Sequence, residues 1–110
     1  MKLVTCLLQP SRLEAVKRGL WTAGFRGVSI SPAQGLGLRA GRLEKEDDFM
    51  GAFSEKVRVE VACRDAELER LVETVVEASR TGRVGDGKIF VTELAEVVRV
   101  RTGERGEAAL

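Results

Sequence analysis

The sequence predicts an α+β domain of element order βαββαβ, a four-stranded antiparallel sheet with both helices on one face. Three observations lead there. Lys2 to Leu8 and Lys56 to Cys63 read as strands, Leu13 to Leu20 and Leu68 to Val76 repeat their apolar residues at helical spacing, and strand-like segments flank each helix.

Lys2 to Leu8 is apolar on both sides, with Leu3 and Leu7 on one and Val4, Cys6 and Leu8 on the other. A strand apolar on both faces belongs in the middle of a sheet that is covered twice. After Pro10, the run Ser11, Arg12, Leu13, Glu14 has capping-box spacing, so a helix is expected to start there. Leu13, Val16 and Leu20 form its apolar stripe, and Gly24 ends it. Residues 27–33 form a second strand candidate. Residues 35–55 show no period and include the charged run Glu44 to Asp48, which predicts a long functional loop.

From Lys56 to Cys63 the alternation is clean: Val57, Val59, Val61 and Cys63 against Lys56, Arg58, Glu60 and Ala62. Asp65 is placed to N-cap the next helix, whose stripe is Leu68, Leu71, Val72, Val75 and Val76, with Arg80 in the last turn before Gly82. A glycine-rich turn leads to Ile89, where a last strand region begins that extends to Arg99 and Arg101, alternating with Val98 and Val100. The order is that of the ferredoxin-like double unit. Two helices cover one face of such a sheet, so the second apolar face of the first strand implies a partner subunit.

One domain of 110 residues is expected. The N-terminus is unlike a signal peptide and no apolar run approaches membrane-spanning length, which points to a cytoplasmic protein without membrane insertion. A formal net charge of +1 gives no general attraction for nucleic acid. The chain contains no His, Tyr or Asn. Without His there is no Ser-His-Asp triad and no His-based zinc site, and no catalytic or metal-ligating residue is assigned. Cys6 and Cys63 lack CxxC spacing and read as buried free thiols.

The segment with chemistry is Gly82-Arg83-Val84-Gly85-Asp86-Gly87-Lys88. It matches GxxxxGK, yet Ile89 stands where a Walker A loop needs Ser or Thr, and the loop runs from helix to strand rather than the reverse. The physics of anion binding still applies. Gly85 and Gly87 permit positive φ, so main-chain N–H groups can converge on an anion, while Lys88, Arg99 and Arg101 supply charge.

The run from Thr81 to Val91 resembles the nucleotide-binding B-loop of PII signalling proteins, residues 81–88 being the loop itself. Arg99-Val100-Arg101-Thr102-Gly103-Glu104 is similar to that family's C-terminal signature, within a terminal segment 99–110, and Gly35-Leu36-Gly37 resembles the entry to its T-loop, here residues 35–55. The likeness runs along nearly the whole chain. It implies a homotrimer that binds ATP or ADP in clefts between subunits and regulates a target protein, a transporter or a metabolic enzyme, through the T-loop. By the same resemblance, Gly85, Asp86, Gly87 and Lys88 hold the phosphates, and Arg99 and Arg101 complete the pocket, at least one of them from a neighbouring subunit. Gly35, Gly37 and Leu38 give T-loop-entry contacts, and Ser29 and Ala62 line the adenosine pocket. Lys56 stands where the family binds a 2-oxoglutarate carboxylate.

Departures narrow what carries over. Leu38 and Arg39 replace the family's Arg and Gln, and an Arg cannot act as the neutral carbonyl ligand that completes a magnesium and 2-oxoglutarate site. Phe49 stands where the modified Tyr is expected, in a loop two residues short. Phosphate sensing follows from the resemblance; magnesium, 2-oxoglutarate and Tyr modification do not follow with it. PII-like proteins of carboxysomes or bicarbonate transport, which take ADP or AMP with bicarbonate, are the alternative. Other proteins of this topology fit less well: an acylphosphatase needs an Asn, a metal chaperone a CxxC, and an RNA-recognition motif aromatics on the strand Lys56 to Cys63, where there are none. A binding module is therefore expected rather than an enzyme.

Overall fold

A computed structural model describes residues 1–36, 46 and 53–110. Four strands form one antiparallel sheet: β1 (Lys2–Leu8), β2 (Ser29–Leu36), β3 (Phe53–Cys63) and β4 (Gly87–Glu93), in the order β2-β3-β1-β4. Helices α1 (Leu13–Ala23) and α2 (Leu68–Ser79) both lie on one face. This is the ferredoxin-like architecture expected, with β1 central.

The register explains the core. Val4 faces Val61, Cys6 faces Val59 and Leu8 faces Val57 across β1 and β3, and all six are buried. Val16 and Leu20 of α1 and Leu71 and Val75 of α2 close over them, each at most 1 % exposed. The helices also complete one another's ends. Arg12 donates from Nε and Nη2 to the Ala78 carbonyl at 3.2 and 2.8 Å, and Arg70 donates to the Ala23 carbonyl. Carbonyls of a last helical turn have no partner within their own helix, and a guanidinium from the antiparallel neighbour supplies one. Cys6 and Cys63 are free and buried; burial pushes the Cys6 thiol up to about 11 and raises that of Cys63 as well. Four ladder positions separate them, roughly 14 Å, too far for a disulfide within the chain.

Several local expectations are corrected. The second strand begins at Ser29 rather than 27 and continues to Leu36, and the third begins at Phe53 rather than Lys56. The pairs Gln34–Glu55, Gly35–Ser54 and Leu36–Phe53 thus belong to a hairpin and not to the loop. Main-chain pairing continued past the last buried side chain, which hydrophobic alternation cannot register. The rest of the expected 35–55 loop, including Gly37, Leu38, Arg39 and Phe49, lies outside the described residues.

No capping box forms at Ser11. Pro10 leads a 3-10 turn, Pro10–Arg12, ahead of α1, and the Glu14 carboxylate accepts from Lys17 at 2.9 Å instead. Asp65 caps no helix either. It sits in a 3-10 turn, Asp65–Glu67, paired with the N-terminal ammonium at 2.9 Å, while the Arg64 N–H donates to Glu67 at 3.1 Å. Arg80 falls just past the end of α2. The last strand stops at Glu93, leaving Arg99 and Arg101 outside the sheet. Leu94 N–H donates to the Met1 carbonyl at 3.1 Å, just past the last ladder pair, Lys2–Glu93. Residues 94–110 fold on themselves through a Val98–Arg105 bridge and a turn in which Arg99 N–H donates to Glu104 at 2.9 Å. Among the described residues, no helix is long and apolar enough to cross a membrane.

Candidate functional site

Side chains alternate across a strand, so burial of Val57, Val59 and Ile89 against the helices sends their neighbours to the other, uncovered face. That face carries Leu3 and Leu7 of β1, Lys56 and Ala62 of β3, Ser29 of β2, and Lys88 and Phe90 of β4. Lys88 and Ser29 are exposed, as is 47 % of Phe90. Four residues singled out in the sequence from three different strands therefore share one free surface: Ser29, Lys56, Ala62 and Lys88.

The Gly82–Lys88 loop sits at the rim of this surface, where α2 hands over to β4. Gly82, Gly85 and Gly87 have φ of 83°, 98° and 112°, a region L side chains avoid. The Asp86 carboxylate turns back into the loop: it accepts from Thr81 Oγ, from Thr81 N at 2.7 Å and from Gly82 N at 2.9 Å. What Asp86 offers an anion is therefore main chain, since its own charge is spent inside the turn. These bonds, the Thr81 hydroxyl foremost, hold the carboxyl below its ordinary value of 3.8. A lowered pKa means the carboxylate's contribution is complete above that value and lost as pH falls through the folded one. Acidification through that lowered value, below pH 3.8, is thus expected to expose the Thr81 and Gly82 amides to hydrogen exchange, and Asp86→Asn to do so at every pH. Equal protection of both amides across that range would contradict the assignment.

The Gly85 carbonyl is held from two sides. Gln9 Nε2 and Lys56 Nζ each donate to it at 2.7 Å. Lys56 thus reaches the loop within a single chain. Gln9 went unnoticed in the sequence, where nothing but its position beside Pro10, between β1 and α1, sets it apart.

Arg99 and Arg101 do not reach Lys88 within one chain. Gly87 pairs with Leu8 at one end of β1 and Glu93 with Lys2 at the other, so the ends of β4 lie roughly 20 Å apart. Both arginines follow the far end. Arg99 donates to Glu104 at 3.1 Å and to the Leu110 carbonyl at 3.3 Å, and Arg101 is exposed. Ser29, opposite Glu60, and Ala62, opposite Leu3, lie between the two ends.

A free sheet face rimmed by a glycine–lysine loop, with two helices closing the other side, defines a ferredoxin-like α+β module. The family model described as nitrogen regulatory protein P-II matches residues 1–104. The chain is 40 % identical to the nitrogen regulatory protein P-II of Azospirillum brasilense and 41 % identical to the nitrogen regulatory protein GlnK of Escherichia coli K12, in both cases over all of each chain. A crystal structure of Arabidopsis thaliana PII bound to citrate superposes with a TM-score of 0.84 at 38 % identity, covering 99 % of this chain and 91 % of that one. The chain belongs to the nitrogen regulatory protein P-II family, a family of signal-transduction regulators.

Proposed function

We propose that this chain senses ATP and ADP in clefts between the subunits of a cytoplasmic homotrimer and signals to a target protein through residues 35–55, in nitrogen metabolism. The observation that carries the reading is the Gly82–Lys88 loop. Positive-φ glycines and an exposed lysine sit at the rim of a face that carries the half-buried Leu3 and Leu7 and the exposed Phe90. Such a loop suits a polyphosphate, and such a face suits burial against a second copy. Because Arg99 and Arg101 lie at the far end of the sheet, a pocket that uses them together with Lys88 has to be assembled from more than one chain.

In this reading Gly85, Gly87, Asp86 main chain and Lys88 grip the phosphates, with Arg99 and Arg101 from a neighbour. Ser29 and Ala62 border the adenosine, and Gly35 stands at the hairpin tip that leads into the signalling segment. Gly37 and Leu38 complete the set from the adjoining stretch, where Arg39 stands with Lys56 toward a second effector. ATP and ADP compete for the cleft, and the signal is their difference in affinity for the states of residues 35–55. Lys56 is the group that a second, anionic effector would engage. The role is regulatory binding, with no catalytic group assigned.

Calorimetry with ATP, ADP and AMP, alone and with 2-oxoglutarate or bicarbonate, tests this, together with sedimentation at micromolar concentration. Saturable binding of ATP and ADP by a trimer is expected. No heat from any adenine nucleotide, or a persistent monomer, would end the reading. AMP or ADP binding strengthened by bicarbonate would replace nitrogen metabolism with bicarbonate-linked regulation.

A further inference from the structure

We propose that Gln9 is a positioning residue for the anion loop: its amide holds the Gly85 carbonyl in place, which leaves Lys56 free to exchange that carbonyl for a bound anion. The proposal rests on the reading of Gly82–Lys88 as a phosphate site.

The Gly85 oxygen accepts from two donors of different kind, the neutral Gln9 amide and the Lys56 ammonium, each at 2.7 Å. A carbonyl has two lone pairs, so both bonds form at once and either can persist alone. The donors come from separate parts of the fold. Gln9 follows the end of β1 and belongs to the connection that starts α1, whereas Lys56 extends from β3. An anion arriving at the loop competes with a neutral oxygen for a cation and has no such pull on an amide. Lys56 is therefore the donor that leaves and Gln9 the one that stays. Without Gln9, the departure of Lys56 would strand a half-buried carbonyl, and ligand binding would bear that cost.

The bond also fixes direction. In a trans peptide the carbonyl and the next N–H point opposite ways. Holding Gly85 C=O toward Gln9 aims Asp86 N–H toward the Arg83 carbonyl, 3.4 Å away. Gly85, at φ 98°, has no Cβ to resist rotation of this plane, and a Cβ added there would meet Gln9 Nε2 at 3.1 Å. A side chain at Gly85 would crowd the amide that locks the plane.

The test compares ATP affinity of the full chain, at about pH 8, with that of Gln9→Met, which keeps the length but removes the donor, and Gln9→His, whose neutral ring N–H at that pH replaces it. The 13C shift of the Gly85 carbonyl is followed in each ligand-free protein. Gln9→Met is expected to weaken ATP binding about ten-fold and to move the carbonyl signal. Gln9→His should recover affinity to within about three-fold of the unmodified chain, which separates neutral donation from mere packing. Should Gln9→Met bind ATP as the unmodified chain does, or Gln9→His bind as weakly as Gln9→Met, the proposal is wrong while the nucleotide reading stands. Failure of the unmodified chain to bind ATP overturns both.

Discussion

Gly87→Ala is expected to destabilise the chain by about 3 kcal/mol or more, which no other single added methyl on the glycines among the described residues should match. A Cβ at Gly87 would be driven into the Leu7 carbonyl oxygen and come within 3.2 Å of Leu8 Cα. Both obstacles are main chain in the central strand, so neither can swing aside as a side chain would. Gly87 opens β4 opposite Leu8, and relief would require peeling the first rungs of the β1–β4 ladder. Its φ of 112° adds backbone strain. The control is Gly82→Ala, where φ is also positive, at 83°, but the space is open. That substitution isolates the strain, about 1–2 kcal/mol. Denaturant midpoints at one fixed protein concentration measure both, since the proposed assembly would make stability concentration-dependent. Equal costs for the two would mean that the close approach of β4 to Leu7 contributes nothing. Because Gly87 also belongs to the proposed phosphate loop, loss of nucleotide affinity should accompany the loss of stability.

Lys88→Ala is expected to weaken ATP binding by one to two orders of magnitude while leaving stability unchanged. Lys88 is exposed on the free face, and among the described residues it makes no ion pair or side-chain hydrogen bond. The folded subunit therefore does not depend on its ammonium. A hydrogen bond to a charged phosphate is worth roughly 1.5–3 kcal/mol, about 10- to 150-fold in affinity. The loss should shrink from ATP to ADP to AMP as phosphates are removed, a gradient that a general change in subunit assembly would not produce. Calorimetry with the three nucleotides on both proteins is the measurement. An unchanged ATP affinity, with melting like that of the unmodified chain, would take Lys88 out of the site.

How much was legible varied with the kind of interaction. β1 and the buried half of β3 were readable because Val4, Cys6, Leu8, Val57, Val59 and Val61 all lose solvent, and apolar burial imprints its period on the residue types. The stripes of α1 and α2 were readable for the same reason. The extension of β2 and β3 to Leu36 and Phe53 was not. Those two side chains remain 41 % and 57 % exposed, so the pairing is carried by backbone groups every residue has. At Ser11 and Asp65 the residue type promised a cap that the fold used otherwise, because a 3-10 turn and the chain's own ammonium came first. The comparison with known relatives bore out the family resemblance carried by Thr81 to Val91 and by Arg99 to Glu104.

Local chemistry was decided by the chain itself: which segments are apolar on one side, where only glycine tolerates the backbone, and which loop is rich in donors. These follow from single residues and near neighbours, and so survive in a linear string. Only the tertiary structure decided who meets whom. It brought Gln9 and Lys56, 47 positions apart, onto one carbonyl of the loop. It also ended the last strand at Glu93, opposite Lys2, with Arg99 and Arg101 following that end of the sheet rather than the Lys88 end. Proximity of distant segments depends on strand order and register, and no residue type encodes either one alone.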